Sequence, residues 1–263
     1  MGIFDSGIGG LHVLAACRRL LPGCLFLYYG DNARAPYGSR TAEEISRFTR
    51  EGLALLEGWG ADAAVLACNT ATAVCAEEMR RAFSFPVLGV EPAVRPAARV
   101  CRDVLVLATP RTAESRRLAA LTARFPQCRF RIAPLPSFAA AIERCLTRGE
   151  GLTLSDHLPA LCPDGVVLGC THYAFFRREI AAFYRCPVFD GAQGTARRLV
   201  TVLAERVSQG KIGTDDHFCT PINPNNCLTF GYKKRGDEGV IFLGDGKFYN
   251  KLVYSTNICF SSE

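Results

Sequence analysis

Two stretches of this sequence carry the same reactive group in the same setting. Ala64-Val65-Leu66-Ala67-Cys68-Asn69-Thr70 and Gly165-Val166-Val167-Leu168-Gly169-Cys170-Thr171-His172 each run from an apolar strand through a small residue into a cysteine. A helix-length stretch follows both. A free thiol titrates near ~8.5, and only the thiolate is a good base. At a strand end, just before a helix's first turn, backbone N–H groups and the helix dipole favour the anion. The pattern therefore predicts two thiols usable as bases near neutral pH. A weaker echo links Gly2-Ile3-Phe4-Asp5-Ser6 with Leu105-Val106-Leu107-Ala108-Thr109. Asp5 is placed to accept a proton from Cys68, and His172 to assist Cys170. Two acid/base groups on opposite sides of a small molecule suit inversion at a carbon bearing hydrogen. One removes the proton and the other returns one from behind.

The elements that must position these groups are short. Apolar runs at Gly2–Asp5, Leu25–Tyr29, Ala63–Cys68, Pro86–Val90, Val104–Ala108, Phe130–Pro134, Val166–Cys170 and Pro187–Asp190 read as strands. Helical patterns separate them. Thr41-Ala42-Glu43-Glu44 reads as a capping box, with Ile45, Phe48, Leu55 and Leu56 on one face behind it. Strands alternating with helices imply βαβ units and parallel sheets covered on both faces. With the internal echo, the expected fold is α/β: two similar parallel-sheet lobes related by a pseudo-twofold, with the site in the cleft between them. Reactive groups in such sheets gather at the carboxyl ends of the strands, where both cysteines fall. Residues 1–91 with 191–210 are expected to form the first lobe, and 92–190 the second.

Composition narrows the chemistry. The chain has 263 residues, 49% hydrophobic and 21% charged, which fits one or two globular domains. No apolar run approaches the ~18 residues of a spanning helix, and no secretory signal is visible, so the expected location is the cytoplasm. Thirteen irregularly spaced cysteines then read as reduced thiols. Cys17, Cys24, Cys75, Cys101, Cys128, Cys145, Cys162 and Cys186 read as small buried hydrophobes. No Cys-x-x-Cys pair offers a zinc site. The net charge of +6 comes from arginine pairs spread over helix faces, not from a continuous stripe that would suit nucleic acid. All five lysines lie after residue 210, so the body cannot supply the Schiff-base lysine of a pyridoxal phosphate enzyme. The glycine run Gly7-Ile8-Gly9-Gly10 follows a strand, but His12 stands where a dinucleotide fingerprint has its third glycine. It reads as a tight turn open to a small anion. A cysteine hydrolase would need one nucleophile and leave the second cysteine motif idle.

Several motifs together resemble the glutamate racemases. They are Gly2-Ile3-Phe4-Asp5-Ser6-Gly7-Ile8-Gly9-Gly10-Leu11, Tyr29-Gly30-Asp31-Asn32-Ala33-Arg34-Ala35-Pro36-Tyr37-Gly38, Ala67-Cys68-Asn69-Thr70-Ala71-Thr72, Gly89-Val90-Glu91-Pro92-Ala93 and Leu168-Gly169-Cys170-Thr171-His172-Tyr173. The match runs from residue 1 to about 205. Aspartate racemases share the two-cysteine plan with less similar motifs. The resemblance implies interconversion of L- and D-glutamate without a cofactor, to supply D-glutamate for peptidoglycan. It implies that Cys68 takes the α-proton from D-glutamate and Cys170 from L-glutamate, supported by Asp5 and His172 respectively. Glu143 matches a family acidic residue near the second cysteine. Implied substrate contacts are Asp5, Ser6, Tyr37, Gly38, Asn69, Thr70, Thr171 and His172, joined by Thr112. The implied partner is glutamate alone, with no membrane or nucleic acid; a homodimer stays open. Two other readings remain: a racemase of another acidic amino acid, aspartate first, and a non-catalytic binding protein on the same scaffold.

Two features depart from the family. Leu135 stands where a cysteine is common. After residue 210 the composition changes: residues 211–263 contain no Ala and are rich in Asn, Gly, Thr and aromatics. This tail is expected to be either a piece completing the first lobe or sequence of foreign origin. Gly239–Leu243 within it reads as a strand, and Phe242–Phe248 is faintly like the family's ending.

Overall fold

The computed structural model describes residues 1–209 and, by backbone alone, two further strands at 228–235 and 238–245. The rest of the tail, including Gly246–Phe248 of the faint family match, lies outside the described residues. The first half of the chain runs β1 (Gly2–Asp5), α1 (Leu11–Leu20), β2 (Leu27–Gly30), α2 (Ala42–Gly58), β3 (Ala64–Leu66), α3 (Asn69–Ala82), β4 (Val87–Gly89). The second half runs α4 (Val94–Val100), β5 (Asp103–Ala108), α5 (Pro110–Ala113), α6 (Arg116–Ala123), β6 (Arg129–Pro134), α7 (Phe138–Arg148), β7 (Gly165–Gly169), α8 (Arg177–Tyr184), β8 (Val188–Phe189). The chain then returns through α9 (Ala192–Ser208) to β9 (Leu228–Arg235) and β10 (Glu238–Asp245).

All eight strands expected in the body form, each within a residue or two of its apolar run. The first sheet has the order β4-β3-β1-β2-β10-β9, and the second β6-β5-β7-β8. Both repeat one plan: the strand leading into the cysteine (β3 or β7) lies beside the strand two earlier in the chain (β1 or β5). The eight body strands are parallel within their sheets. The tail adds an antiparallel hairpin, with β10 against β2. The fold is thus α/β with two similar lobes.

Except at the edge strand β6, whose residues are exposed or half-buried and include Arg129 and Arg131, the body strands are largely buried on both faces, which is why they read as apolar runs. In β1, Ile3 enters a core with α1 and α9, while its neighbour Phe4 enters another with α2 and α3. In β5, Val104 and Val106 face α4 and α6, while Leu105 and Leu107 face α7 and α8. The predicted capping box forms: Glu44 N–H donates to Thr41 Oγ1 at 3.2 Å, and Thr41 N–H to Glu44 at 2.9 Å. Leu53 takes the buried place expected for Leu55, which is 37% exposed at the margin of the helix face. Of the cysteines read as buried hydrophobes, Cys162 is exposed and Cys145 and Cys186 half-buried. Among the described residues no helix is long and apolar enough to cross a membrane.

Gly52 marks a tight helix–sheet contact. A Cβ there would lie 2.4 Å from Phe4 Cε2 and 3.0 Å from Tyr29 Cδ1. Replacing a mid-helix Gly by Ala favours the helix by about 1 kcal/mol. Overpacking a ring that is fully buried costs about 1–3 kcal/mol. The overpacking should win, because Phe4 is itself wedged between Tyr29 and Tyr37. Gly52→Ala is expected to lower the urea midpoint, and an unchanged or higher midpoint would show that the ring yields.

Candidate active site

The strand ends of the two sheets meet. Asp5 closes β1 and is fully buried. Its Oδ1 accepts from Gly7 N–H at 2.9 Å, and its Oδ2 accepts from the Thr171 hydroxyl of the other lobe at 3.1 Å. Gly9 lets this happen: a Cβ there would lie 2.5 Å from Thr171 Oγ1 and 2.9 Å from His172 N. Any side chain at that position would push the halves apart. Tyr28 braces the glycine turn from below, donating to Gly7 O at 2.6 Å.

Cys68 occupies the N-cap of α3, where its sulfur accepts from Ala71 N–H at 3.5 Å and donates to Ser6 Oγ at 3.4 Å. Ser6, rather than Asp5, is therefore the hydrogen-bond partner of its thiol, while the Asp5 carboxylate acts on it through charge. The helix N-terminus does not win here. Burial first, then the Asp5 charge, push the Cys68 thiol up to about 12 from an ordinary 9.0, against the bonds from Ser6 and Ala71. The expectation of a thiolate at rest is thus corrected for Cys68, since a buried sulfur beside a carboxylate keeps its proton. The charge of Cys170 raises it further, so the two sulfurs lie within electrostatic reach of each other.

Cys170 follows β7 and precedes a 3₁₀ turn, Thr171–Phe176, without a capping bond to its sulfur. Its Sγ lies 3.9 Å from His172 Nδ1. His172 Nε2 in turn meets Glu143 Oε2 at 2.5 Å, so Glu143, on α7, orients the ring. Burial alone would lower the His172 pKa. The bonds to Cys170 and Glu143 and their charges outweigh it and hold the imidazole well above its ordinary range. Both cysteines are free thiols.

Thr70 Oγ1 lies 2.9 Å from Thr109 Oγ1, and Thr109 donates to Thr112 Oγ1 at 3.0 Å. This hydroxyl chain bridges the lobes on the α3 side. Asn69, Thr70 and Thr112 are all buried here. Tyr37 is buried as well, but its hydroxyl is given to Asp31 rather than to the cleft. Nine of the twelve residues singled out in the sequence thus bond one another or Thr109 through side chains, and Asn69 is buried beside them. Tyr37 gives its hydroxyl elsewhere, and Gly38 has no side chain to add. Thr109, Tyr28 and Asp31 were not singled out as site residues. Thr109 had a readable signal, as the counterpart of Asp5 in the internal echo.

Comparison with known proteins agrees with this geometry. A family model described as Asp/Glu/Hydantoin racemase matches residues 11–199. The glutamate racemase of Clostridium novyi is 34% identical over 250 residues, covering 90% of this chain and 96% of its own. The crystal structure of Escherichia coli glutamate racemase, in complex with L-glutamate and an activator, is 33% identical. It has a TM-score of 0.70 over 77% of this chain and 82% of its own. The glutamate racemase of Francisella tularensis, in complex with D-glutamate, is 26% identical. Its TM-score is 0.68 over 82% of this chain and 84% of its own. This chain belongs to the Asp/Glu/hydantoin racemase family.

Proposed function

We propose that this protein is a cofactor-independent glutamate racemase that supplies D-glutamate for peptidoglycan. One observation carries the reading. Cys68 and Cys170 come from opposite lobes, and the residues beside them meet: Ser6 bonds Cys68, its neighbour Asp5 bonds Thr171 of the other lobe, and Thr171 lies in the chain between Cys170 and His172, which bond each other while His172 bonds Glu143. Cys170 thiolate takes the α-proton of L-glutamate, leaving a carbanion at Cα. Cys68 thiol protonates that carbon from the opposite face and becomes the thiolate. The reverse sequence converts D-glutamate. His172 supports negative charge on Cys170, and Asp5 stands ready to draw the proton from Cys68. The substrate's carboxylates and ammonium are held by Ser6, Asn69, Thr70, Thr112, Thr171 and the backbone at Tyr37 and Gly38, short donors suited to a small dicarboxylate. The need for reduced thiols places the reaction in the cytoplasm. We also divide the chain into lobes at 1–91 with 191–210 and at 92–190, with the tail completing the first. The packing of α9 against α1 and the pairing of β10 with β2 support that division.

Circular dichroism of L-glutamate incubated with pure protein should decay to zero without pyridoxal phosphate. In deuterated water the D-product should carry deuterium at Cα. Cys68→Ala and Cys170→Ala should each lower kcat by at least ~10²–10⁴-fold. An active single variant would refute the two-base mechanism. L-aspartate is the control substrate, since one missing methylene changes recognition by ~1–3 kcal/mol.

Asp5 links activity to stability. Burial first, then the Glu143 charge, push its carboxyl up from 3.8 to about 6, against His172 and the bonds from Gly7 and Thr171. A carboxyl with a raised folded-state pKa holds its proton more tightly folded than unfolded. Its contribution to stability is full below 3.8 and is lost as pH rises through about 6. At pH 8 the ionised Asp5 therefore weakens the fold. Asp5→Asn should raise the urea midpoint at pH 8 while lowering kcat about 100-fold. Its kcat/KM should also lack the acidic limb expected of the wild type near pH 6. Equal midpoints at pH 8, with the acidic limb intact, would remove Asp5 from this role.

A further inference from the structure

We propose that Asp31 is a positioning residue for substrate binding, acting through Tyr37 on the Tyr37–Gly38 segment. The proposal rests on the racemase reading above, in which that segment's backbone meets the substrate. Asp31 directly follows β2, and its backbone N–H donates to the Asp5 carbonyl at 3.0 Å. It is 1% exposed. Its Oδ2 accepts from the Tyr37 hydroxyl at 2.5 Å and lies 2.7 Å from Arg34 Nε. Arg34 continues to Glu51 at 2.5 Å and stacks over Phe48 at 4.1 Å.

Three features argue for more than a packing role. First, Tyr37 has one hydroxyl proton, and Asp31 takes it. Burial and the Asp31 charge hold the phenol well above its ordinary pKa, so it stays a donor at any working pH. Secondly, the anchored segment reaches the opposite lobe. Gly38 sits against Thr109, whose Cβ would be 3.1 Å from a Cβ built on the glycine, and Arg111 Nε donates to Arg40 O at 3.0 Å. Thr109 is the middle of the Thr70–Thr109–Thr112 chain, so a shift of Tyr37 would reach three hydroxyls. Thirdly, a bare carboxylate beside a site for a dicarboxylate would repel its ligand, and Arg34 neutralises it. A charge-assisted bond to Tyr37 is kept without a repulsive field in the cleft.

Contacts made equally to substrate and transition state govern KM and leave kcat alone. Asp31→Ala and Tyr37→Phe should each raise KM for both enantiomers about tenfold, with kcat within about threefold in both directions. The double variant should be no worse than Asp31→Ala, because both changes remove one interaction. Asp31→Asn can still accept from the phenol and should recover most of the affinity. A purely structural anchor would lower the melting temperature without moving KM, and that result overturns the proposal. Additive effects, or a fall in kcat at constant KM, overturn it too. If Asp31→Ala does not fold, Tyr37→Phe decides alone, and an unchanged KM sinks the idea. A wild-type protein that does not racemise glutamate would instead sink the reading beneath it.

Discussion

The hydrogen bond from Thr171 to Asp5 joins side chains 166 residues apart and ties the two halves of the molecule at their strand ends. It depends on Gly9, in the turn after β1, which carries no side chain where Thr171 and His172 approach. Its consequence is electrostatic. A carboxylate, two thiols, an imidazole and a second carboxylate share a volume from which water is largely excluded. Burial drives Asp5 to about 6 and Cys68 to about 12, both towards the protonated form. Ionising such groups works against stability, and four apolar clusters, one on each face of each sheet, offset that. The site is where this fold carries its least favourable interactions, as expected of a centre that must hand protons on.

Much of this arrangement was readable in the residues. Eight strands followed from apolar runs, because parallel strands covered on both faces have no polar side to break the pattern; only the edge strand β6, with Arg129 and Arg131, is half-exposed. The internal echo placed Cys68 and Cys170 at equivalent strand ends, since a duplicated topology repeats its loop positions. Side-chain partners were harder. Ser6 and Asp5 are neighbours at a strand end, and which of them bonds Cys68 depends on where Thr171 arrives from a distant part of the chain. The acidity of Cys68 was misjudged for the same reason. The helix N-terminus is local and visible, whereas the burial and the carboxylate that outweigh it are tertiary. Tyr37 was read as a contact without its direction, because nothing local says that Asp31 claims its proton. In the tail, Gly239–Leu243 falls within β10, but its antiparallel pairing with β2 had no local signal.

The two lobes repeat a topology without repeating its chemistry, and the reaction assigned to them permits this. L- and D-glutamate have equal free energies in water, so a racemase must have equal kcat/KM in the two directions. That identity holds whatever the two sulfurs are attached to, and nothing in it requires matched pKa values. Cys68 has burial and a neighbouring carboxylate that keep its proton on, against a helix cap and a serine. Cys170 lacks the cap and faces an imidazole whose own proton is held by Glu143. The unequal surroundings leave the resting protein with a thiol on one wall and a cationic neighbour on the other. On the proposed mechanism the form that accepts L-glutamate has its thiol at Cys68 and its thiolate at Cys170. Each turnover moves the proton from one wall to the other and leaves the form that accepts the opposite enantiomer. Asymmetry between the lobes therefore sets which form predominates between turnovers, and so how kcat and KM divide in each direction, while the symmetry of the equilibrium is untouched.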